Sequence, residues 1–184
     1  GRTALHLACE NGHSKVAKLL LSKLQSDEAP LEPRDNRGFA PLTCACQGGH
    51  VECVQLLLTS CGVVIDGKGA AAANGDGGPA NGDGGPPPIL HVAVEANQPR
   101  CVATLLKATP ELAEQSDASG RSPLLLACQL GHVDCTLALL SMPQLRRGDL
   151  EAAIRFADKA DKPDCSAVVR RALQLVEGND AAEG

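Results

Sequence analysis

Small and apolar residues recur at helical spacing in the segment 35–58, which reads DNRGFAPLTCACQGGHVECVQLLL. The segment opens with turn-forming residues, and Pro41 stands where the first turn of a helix tolerates proline. Leu42 and Ala45 follow one helical turn apart, which predicts a short helix with one small apolar face. Two glycines end that helix, and the run VECVQLLL predicts a longer second helix. Neither helix can bury its apolar face alone, so the pattern predicts a unit that stacks against copies of itself.

Three further stretches repeat this pattern. Residues 1–21 read GRTALHLACENGHSKVAKLLL, and residues 120–140 read GRSPLLLACQLGHVDCTLALL. A weaker copy, PILHVAVEANQPRCVATLL, spans residues 88–106. The pattern predicts that the leucines at equivalent places in the first helices line up along one core: Leu5, Leu42, Leu90 and Leu124.

These copies resemble ankyrin repeats in the turn, the T-P-L-H-x-A helix start, the Gly-His pair between the helices and the terminal leucines. The third copy departs most, with Asn97 in place of glycine and Gln98 in place of histidine. Asparagine is the best substitute for glycine in a left-handed conformation, so the departure is mild. The resemblance implies an all-α solenoid of helix–turn–helix repeats with hairpin loops, in which only the tip hairpins are β-structure.

We expect a single ankyrin repeat domain over residues 1–178. Its repeats are predicted at about 1–34, 35–66, 88–116 and 117–146. Two more amphipathic segments predict a capping helix pair at 149–177 that Gly178 ends. The tail 179–184 is expected to fray.

Two segments are expected to lie outside the helices. Residues 22–33 read as an extended loop. Residues 67–87 are nearly all Gly, Ala, Asp, Asn and Pro and contain ANGDGGP twice, which predicts a flexible insertion. The repeated NGDGG lacks the alternating oxygen ligands and distal glutamate of a calcium loop, so calcium binding is disfavoured.

The helix starts differ in their expected capping. Thr3 can cap the first helix, and His6 can bond back to the turn. Ser122 can cap in the fourth repeat. The second repeat has Ala40 at this place and is expected to lack such a cap.

Composition and charge narrow the function classes. The chain of 184 residues carries a formal net charge of −5, which argues against a nucleic-acid partner. No apolar run approaches the length of a membrane span, and no signal-peptide pattern stands at the N-terminus. The chain starts at Gly1, inside a repeat, which predicts that it is a piece of a longer protein.

Nine cysteines, an odd number without the spacing of a disulfide framework, predict thiols in a reducing compartment, cytoplasmic or nuclear. His50/Cys53 and His132/Cys135 could each donate two ligands to zinc from one helix face. Each nevertheless occupies a regular place in the repeat, so we interpret the cysteines as small buried apolar residues. Cys61, near a loop, is expected to be the most reactive. No catalytic triad, metal site or cofactor site is predicted.

The remaining candidates lie on the surface that ankyrin-like stacks offer to partners, the hairpin tips and the exposed side of the short helices. Residue type favours Phe39 and Arg37 as anchors. The full set of predicted partner-binding residues is Arg2, Glu10, Asn11, Asn36, Arg37, Phe39, Gln47, Glu95, Ser119, Arg121, Gln129 and Leu130.

The sequence therefore predicts a non-catalytic, monomeric protein-binding module. Basic tips on an acidic chain favour an acidic segment in the partner. The alternative is a regulatory or substrate-recruiting segment of a larger multidomain enzyme. A metal-binding or redox module is a third and less favoured interpretation.

Overall fold

A computed structural model describes residues 1–27, 33–60, 87–142 and 146–180, and within these ranges pairs of helices joined by tight turns follow one another. These residues form α1 (Ala4–Glu10), α2 (Ser14–Ser26), α3 (Pro41–Gly48), α4 (Val51–Ser60), α5 (Ile89–Glu95), α6 (Pro99–Ala108), α7 (Pro123–Leu130), α8 (Val133–Leu140), α9 (Arg147–Lys159) and α10 (Pro163–Asp180). A 3-10 turn, Pro110–Glu114, follows α6. The predicted all-α fold is confirmed.

One residue with positive φ stands between the two helices of every pair. It is a glycine in three pairs, for example Gly49 with a φ of 76°, and Asn97 in the third pair with a φ of 52°. The left-handed conformation predicted for Asn97 is confirmed. Asp161, with a φ of 54°, holds this place between α9 and α10. Asparagine and aspartate tolerate this conformation better than other non-glycine residues, which keeps the turn geometry constant.

The helix pairs stack in chain order. Each first helix packs on the next first helix, from α1 through α3, α5 and α7 to α9, and the second helices follow from α2 to α10 in the same way. The four first-helix leucines of the sequence pattern all belong to one buried cluster, Leu5, Leu42, Leu90 and Leu124. The prediction of a single shared core is therefore confirmed.

The sequence predicts side-chain caps at two of the three helix starts considered, and the structure contains both. The Thr3 amide donates to His6 Nδ1 at 3.2 Å, and the Thr3 hydroxyl lies 2.8 Å from the same nitrogen. Ser122 Oγ accepts from the Leu125 amide at 3.4 Å. Ala40 precedes α3 without a side-chain cap, as predicted.

Three boundaries and loops differ from the prediction. Among the described residues the tips contain turns and no strands. Helix α2 runs to Ser26, so residues 22–26 are not part of a loop; Leu24 packs against the core and holds this last turn. Helix α10 continues through Gly178 to Asp180, since one glycine costs a helix only about 1 kcal/mol. Residues 67–86 of the insertion predicted at 67–87, Cys61 and the last four residues of the tail lie outside the described residues.

Candidate partner-binding surface

The carboxylate of Asp35 organises the tip of the second repeat. It accepts hydrogen bonds from the backbone amides of Arg37 at 2.8 Å and Phe39 at 2.9 Å. The Asp35 amide donates to the Phe39 carbonyl at 2.9 Å and closes the loop. Burial opposes the charge of Asp35, but these amides and the Arg37 guanidinium outweigh it, so the pKa of Asp35 is lowered.

The side chains of Arg37 and Phe39 stack on each other at this tip. The Arg37 guanidinium carbon lies 4.7 Å from the centre of the Phe39 ring, within the range of a cation–π contact. Arg37 Nε also lies 3.4 Å from Asp35 Oδ2. Phe39 is half-buried and its carbonyl accepts a 2.9 Å hydrogen bond from His6 Nε2 in the first repeat. The stack is therefore held in place by both repeats.

Arg2 joins the first repeat to the same tip. Its guanidinium lies 2.8 Å from the Glu10 carboxylate and 3.8 Å from that of Asp35. It also donates to Cys44 Sγ at 3.6 Å. The hydrogen bonds with Glu10 and Cys44 raise the pKa of Arg2, which therefore stays charged. Two predicted residues, Arg2 and Glu10, thus form a salt bridge with each other at the junction of two repeats.

The fourth repeat builds its tip in the same way around Asp117. Its carboxylate accepts from the amides of Ser119 at 2.8 Å and Arg121 at 2.9 Å, and it pairs with the Arg121 guanidinium at 2.7 Å. Arg121 also donates to the Gln129 side chain at 2.9 Å. Burial opposes the charge of Asp117, but the hydrogen bonds from Arg121 and Ser119 prevail and lower its pKa.

The other predicted residues line the short helices or the tip. Asn11 is exposed and donates to the Leu7 carbonyl at 2.8 Å. The side chain of Asn36 lies near Gly1. Gln47, Glu95 and Leu130 are exposed and Gln129 is half-buried. The structure thus brings Arg2, Glu10, Asn36, Arg37 and Phe39 together at the second-repeat tip, and Ser119, Arg121 and Gln129 at the fourth-repeat tip.

Two residues of this surface were not singled out from the sequence. Arg34 is exposed and donates from Nη1 to the Gly38 carbonyl at 2.7 Å, which adds a third arginine to the second-repeat tip. In the sequence, only the position of Arg34 just before the turn indicates that it belongs to this tip. Leu7 is exposed on α1, although its counterparts in the later repeats are buried. That difference is invisible in the sequence, because all of these positions carry apolar residues.

The cysteines belong to the core. All eight cysteines of the described residues are buried, which confirms the prediction of core packing. Burial raises the pKa of Cys128 to about 12 and that of Cys135 to about 11. His50 Nε2 bonds the Glu10 carbonyl at 2.8 Å, so its ring bridges two repeats. Among the described residues no group of three or more metal-ligating side chains converges.

A groove of about 380 Å³ lies between the 3-10 turn, the start of α7 and the start of α9. Leu124, Leu125 and Met142 supply its apolar wall, and Arg146 and Asp149 its charged edge. The predicted partner-binding residues do not line this groove. No helix within the described ranges combines the length and the apolar character that a membrane span requires.

A stack of helix pairs with polar tips and a core of small apolar residues defines a helical repeat protein. The model of the family described as ankyrin repeats (three copies) matches residues 1–68 and 74–153. The chain therefore belongs to the ankyrin repeat family, as its sequence resemblance predicts. Ankyrin repeats are generally protein-interaction modules and are typically non-catalytic.

Similar proteins are much longer than this chain. The E3 ubiquitin-protein ligase KEG of Arabidopsis thaliana is 29% identical over 140 residues, which cover 76% of this chain and 8% of KEG. The SMC5-SMC6 complex localization factor protein 1 of Homo sapiens and that of Bos taurus are each 43% identical over 61 residues. Those residues cover 33% of this chain and 6% of each relative. The matching region thus spans less than a tenth of the length of each of these relatives.

Proposed function

We propose that this chain is a non-catalytic module that binds a partner protein through the hairpin tips and the exposed side of the short helices. The main contact is the tip of the second repeat, with the residues of the short helices and of the fourth-repeat tip around it. The observation that carries the proposal is the stack of Arg37 on Phe39 at 4.7 Å. Arginine and aromatic residues are the usual anchors of protein interfaces.

The stack is ordered before any partner arrives. Two amide hydrogen bonds to Asp35 fix the backbone at Arg37 and Phe39, and His6 fixes the Phe39 carbonyl. A side chain that is already immobilised loses less entropy when it binds, so more of its contact energy contributes to affinity. The Arg37 side chain is 53% exposed, against 29% for Arg121. This difference favours the second-repeat tip over the fourth.

Charge favours an acidic segment in the partner. Arg2, Arg34 and Arg37 surround this tip, and the side chain of Asp35, which offsets part of their charge, is only 1% exposed. The side chains of Arg34 and Arg37 therefore face solvent while the carboxylate of Asp35 does not, and Arg2 is paired with Glu10. A local positive surface on a chain with a net charge of −5 attracts acidic groups selectively to this site.

The experiment is a binding screen against arrays of acidic peptides and of uncharged peptides of equal length. Arg37→Glu and Phe39→Ala are compared with the wild-type protein. We expect each to weaken binding of the acidic peptides at least about tenfold, or about 1.4 kcal/mol, which is the loss typical of an anchor residue. Raising the ionic strength should weaken wild-type binding, because the contact is exposed and charged.

The controls are Arg100→Glu at the start of α6 and Phe156→Ala on α9, which change an exposed arginine and the second phenylalanine away from the tips. Both should bind like the wild-type protein. Unchanged affinity of Arg37→Glu and Phe39→Ala for the partner that is found would remove this tip as the binding site.

The similarity to KEG favours a second candidate function, as a regulatory or substrate-recruiting segment of a larger multidomain enzyme. KEG is a ubiquitin-protein ligase of which the matching region is 8%. The complete reading frame of the parent gene tests this candidate. A parent without an enzyme domain rules it out, and the binding function of the repeats stands without it.

We also propose an intracellular location, cytoplasmic or nuclear, and a monomeric state. Eight buried thiols without a disulfide among the described residues support a reducing compartment. Measuring the mass of the protein in solution by sedimentation tests the monomeric state.

A further inference from the structure

Buried cysteines recur at two positions of the helix pairs. The sixth residue of the first helix is a cysteine in α1, α3 and α7, and the third residue of the longer helix is a cysteine in α4, α6, α8 and α10. All seven of these side chains are fully buried. They are Cys9, Cys46 and Cys128 on the first helices and Cys53, Cys101, Cys135 and Cys165 on the longer ones.

Contacts between the turns place the two positions against each other across a repeat junction. Each cysteine of a first helix stands three residues before a left-handed glycine. A side chain of the next repeat lies on that glycine, and a cysteine of the following longer helix stands three residues after it. The turn contacts join His50 to Gly12, Gln98 to Gly49 and Lys162 to Gly131.

In the first two of these pairs the thiols contact each other directly. Cys53 hydrogen-bonds with Cys9, and Cys101 hydrogen-bonds with Cys46. The sulfurs of two hydrogen-bonded thiols are already neighbours, and a disulfide brings them to about 2 Å. In the last pair the Thr136 hydroxyl bonds to both sulfurs and separates them. Two junctions therefore hold thiols in position to join.

Of the two directly contacting pairs, Cys46 and Cys101 form the more reactive one. The hydrogen bond from Cys46 lowers the pKa of Cys101, although burial opposes the charge. In the other pair, burial and the Glu52 carboxylate raise the pKa of Cys53. Because the thiolate is the nucleophile, Cys101 reacts with an oxidant more readily than Cys53 does.

Both thiols lie one residue away from exposed positions. Gln47 follows Cys46, Arg100 precedes Cys101, and both of these neighbours are exposed. A local opening of the turns at Gly49 and of the segment before α6 uncovers the two sulfurs without unfolding the rest of the stack. Hydrogen peroxide is little larger than water, so it needs no wider opening.

We propose that Cys46 and Cys101 are a site of reversible oxidation, at which a hydroperoxide joins the second repeat to the third through a disulfide. The Cys101 sulfur attacks one peroxide oxygen and the O–O bond breaks. The other oxygen leaves with the Cys101 proton as water or an alcohol, and Cys101 becomes a sulfenic acid.

The second step uses the neighbouring thiol. The Cys46 sulfur attacks the sulfur of Cys101, so that the S–S bond forms and the S–O bond breaks. The hydroxyl group leaves with the Cys46 proton as water. The two sulfurs together lose two electrons, which the peroxide takes up. A dithiol reductant restores both thiols by exchange and is itself oxidised to a disulfide.

The cross-link acts as a clamp on the repeat that carries the proposed partner-binding tip. It closes the chain between residues 46 and 101 into a loop, which restricts the unfolded chain and so opposes unfolding. The disulfides of reducing compartments are usually transient and redox-sensing, and a pair that opens again with a reductant fits that behaviour. The clamp does not depend on which partner the tip binds.

The test treats the folded protein with hydrogen peroxide, blocks the remaining thiols with N-ethylmaleimide and maps cross-linked peptides by mass spectrometry. The Cys61→Ser variant is used throughout, because the sequence predicts Cys61 to be the most reactive cysteine. We expect the Cys46–Cys101 peptide pair to be at least about tenfold more abundant than any other pair and to disappear with dithiothreitol. Cys46→Ala should abolish this pair, while the matched control Cys44→Ala, two residues away on α3, should keep it.

The same treatment in guanidinium chloride shows which pairs form when the protein is unfolded. The proposal is overturned if the folded protein gives that same mixture, if Cys101 pairs with Cys135 instead, or if no cross-link forms under conditions that oxidise the unfolded protein. The oxidised protein should also unfold at a higher guanidinium chloride concentration than the reduced protein. Equal midpoints would show that the disulfide does not clamp the repeats, and would overturn the proposal as well.

Discussion

At the scale of single residues, His6 and His91 show how one neighbouring residue decides whether both nitrogens of a buried histidine ring form hydrogen bonds. Each is the third residue of a short helix, and each ring uses Nε2 to donate to a carbonyl of the following tip, that of Phe39 or of Arg121. His6 Nδ1 receives the Thr3 amide. His91 Nδ1 is buried without a partner in the described part of the chain, because the corresponding residue is Pro88, which has no N–H.

Pro88→Thr should restore the missing partner. The amide and hydroxyl of threonine can both reach His91 Nδ1, as those of Thr3 reach His6. Because replacing any proline also loosens the unfolded chain, the control is Pro87→Thr, one residue away. We expect Pro88→Thr to be more stable than Pro87→Thr by about 1 kcal/mol, measured by chemical denaturation. Equal stability of the two variants would contradict this account of His91.

The burial of His91 should also make stability depend on pH. Burial lowers the pKa of His91, although the Arg121 carbonyl and nearby carboxylates partly oppose this effect. Below the ordinary histidine pKa of about 6.5 the unfolded chain therefore binds a proton that the folded chain does not. Folding stability contributed by neutral His91 is complete above that pH and is lost as the pH falls through it.

Denaturation at pH 7.5 and pH 5.5 checks this prediction for the wild-type protein and for His91→Gln. Glutamine can keep a donor to the Arg121 carbonyl but does not titrate. The wild-type protein should lose more stability than the variant on acidification. The same loss in both would show that other groups cause the pH dependence.

The sequence predicts the bond between Thr3 and His6, because both residues lie within one helical turn. It does not predict the unsatisfied nitrogen of His91. That feature depends on Arg121, 30 residues further along, occupying the other ring nitrogen. Only the stacked arrangement of repeats brings the two together.

At the scale of elements, the tips are the most strongly specified loops of the fold. Asp35 and Asp117 build the same turn, each with two backbone amides and an arginine on one buried or nearly buried carboxylate. A charged group that accepts several hydrogen bonds contributes more to folding stability than a surface salt bridge does. These turns therefore hold the predicted partner-binding residues in place.

Asp35→Asn should cost about 1–3 kcal/mol of stability at pH 7, because the variant keeps the shape but loses the charge-assisted hydrogen bonds. The control is Asp27→Asn, which changes the exposed pair with Lys23 and an exposed hydrogen bond from the Ser26 hydroxyl and should cost less than about 0.5 kcal/mol. Chemical denaturation of both variants measures the difference. An Asp35→Asn variant as stable as Asp27→Asn would show that the buried carboxylate does not organise the tip.

The helix ends show where local sequence signals stop being sufficient. Turn residues predict the starts of α3 and α7 and the left-handed residue Asn97. Gly178 does not end α10, and Ser22 does not end α2. A glycine or serine weakens a helix by at most about 1 kcal/mol, and packing of the neighbouring turns on the core outweighs that cost.

At the scale of the whole molecule, stacking buries the apolar faces of successive helix pairs against one another. The recurrence of one pattern along the chain predicts this arrangement, since four similar units place Leu5, Leu42, Leu90 and Leu124 in register. The sequence does not show which surface arginines pair within the stack. Arg2 pairs with Glu10 and Arg121 with Asp117, each within its own repeat, and the folded turns bring these side chains together.

The proposed partner-binding surface follows from the same arrangement. The longer helices and the core hold the repeats together, and the tips and short helices carry the ordered arginine and aromatic side chains. Hydrogen-exchange mass spectrometry of the protein, with and without a partner from the peptide screen, tests this division most directly. We predict slower exchange at residues 35–39 and in α1 and α3 when the partner is bound, and unchanged exchange in α4, α6 and α8. Protection confined to those longer helices or to the α9–α10 end would contradict the account.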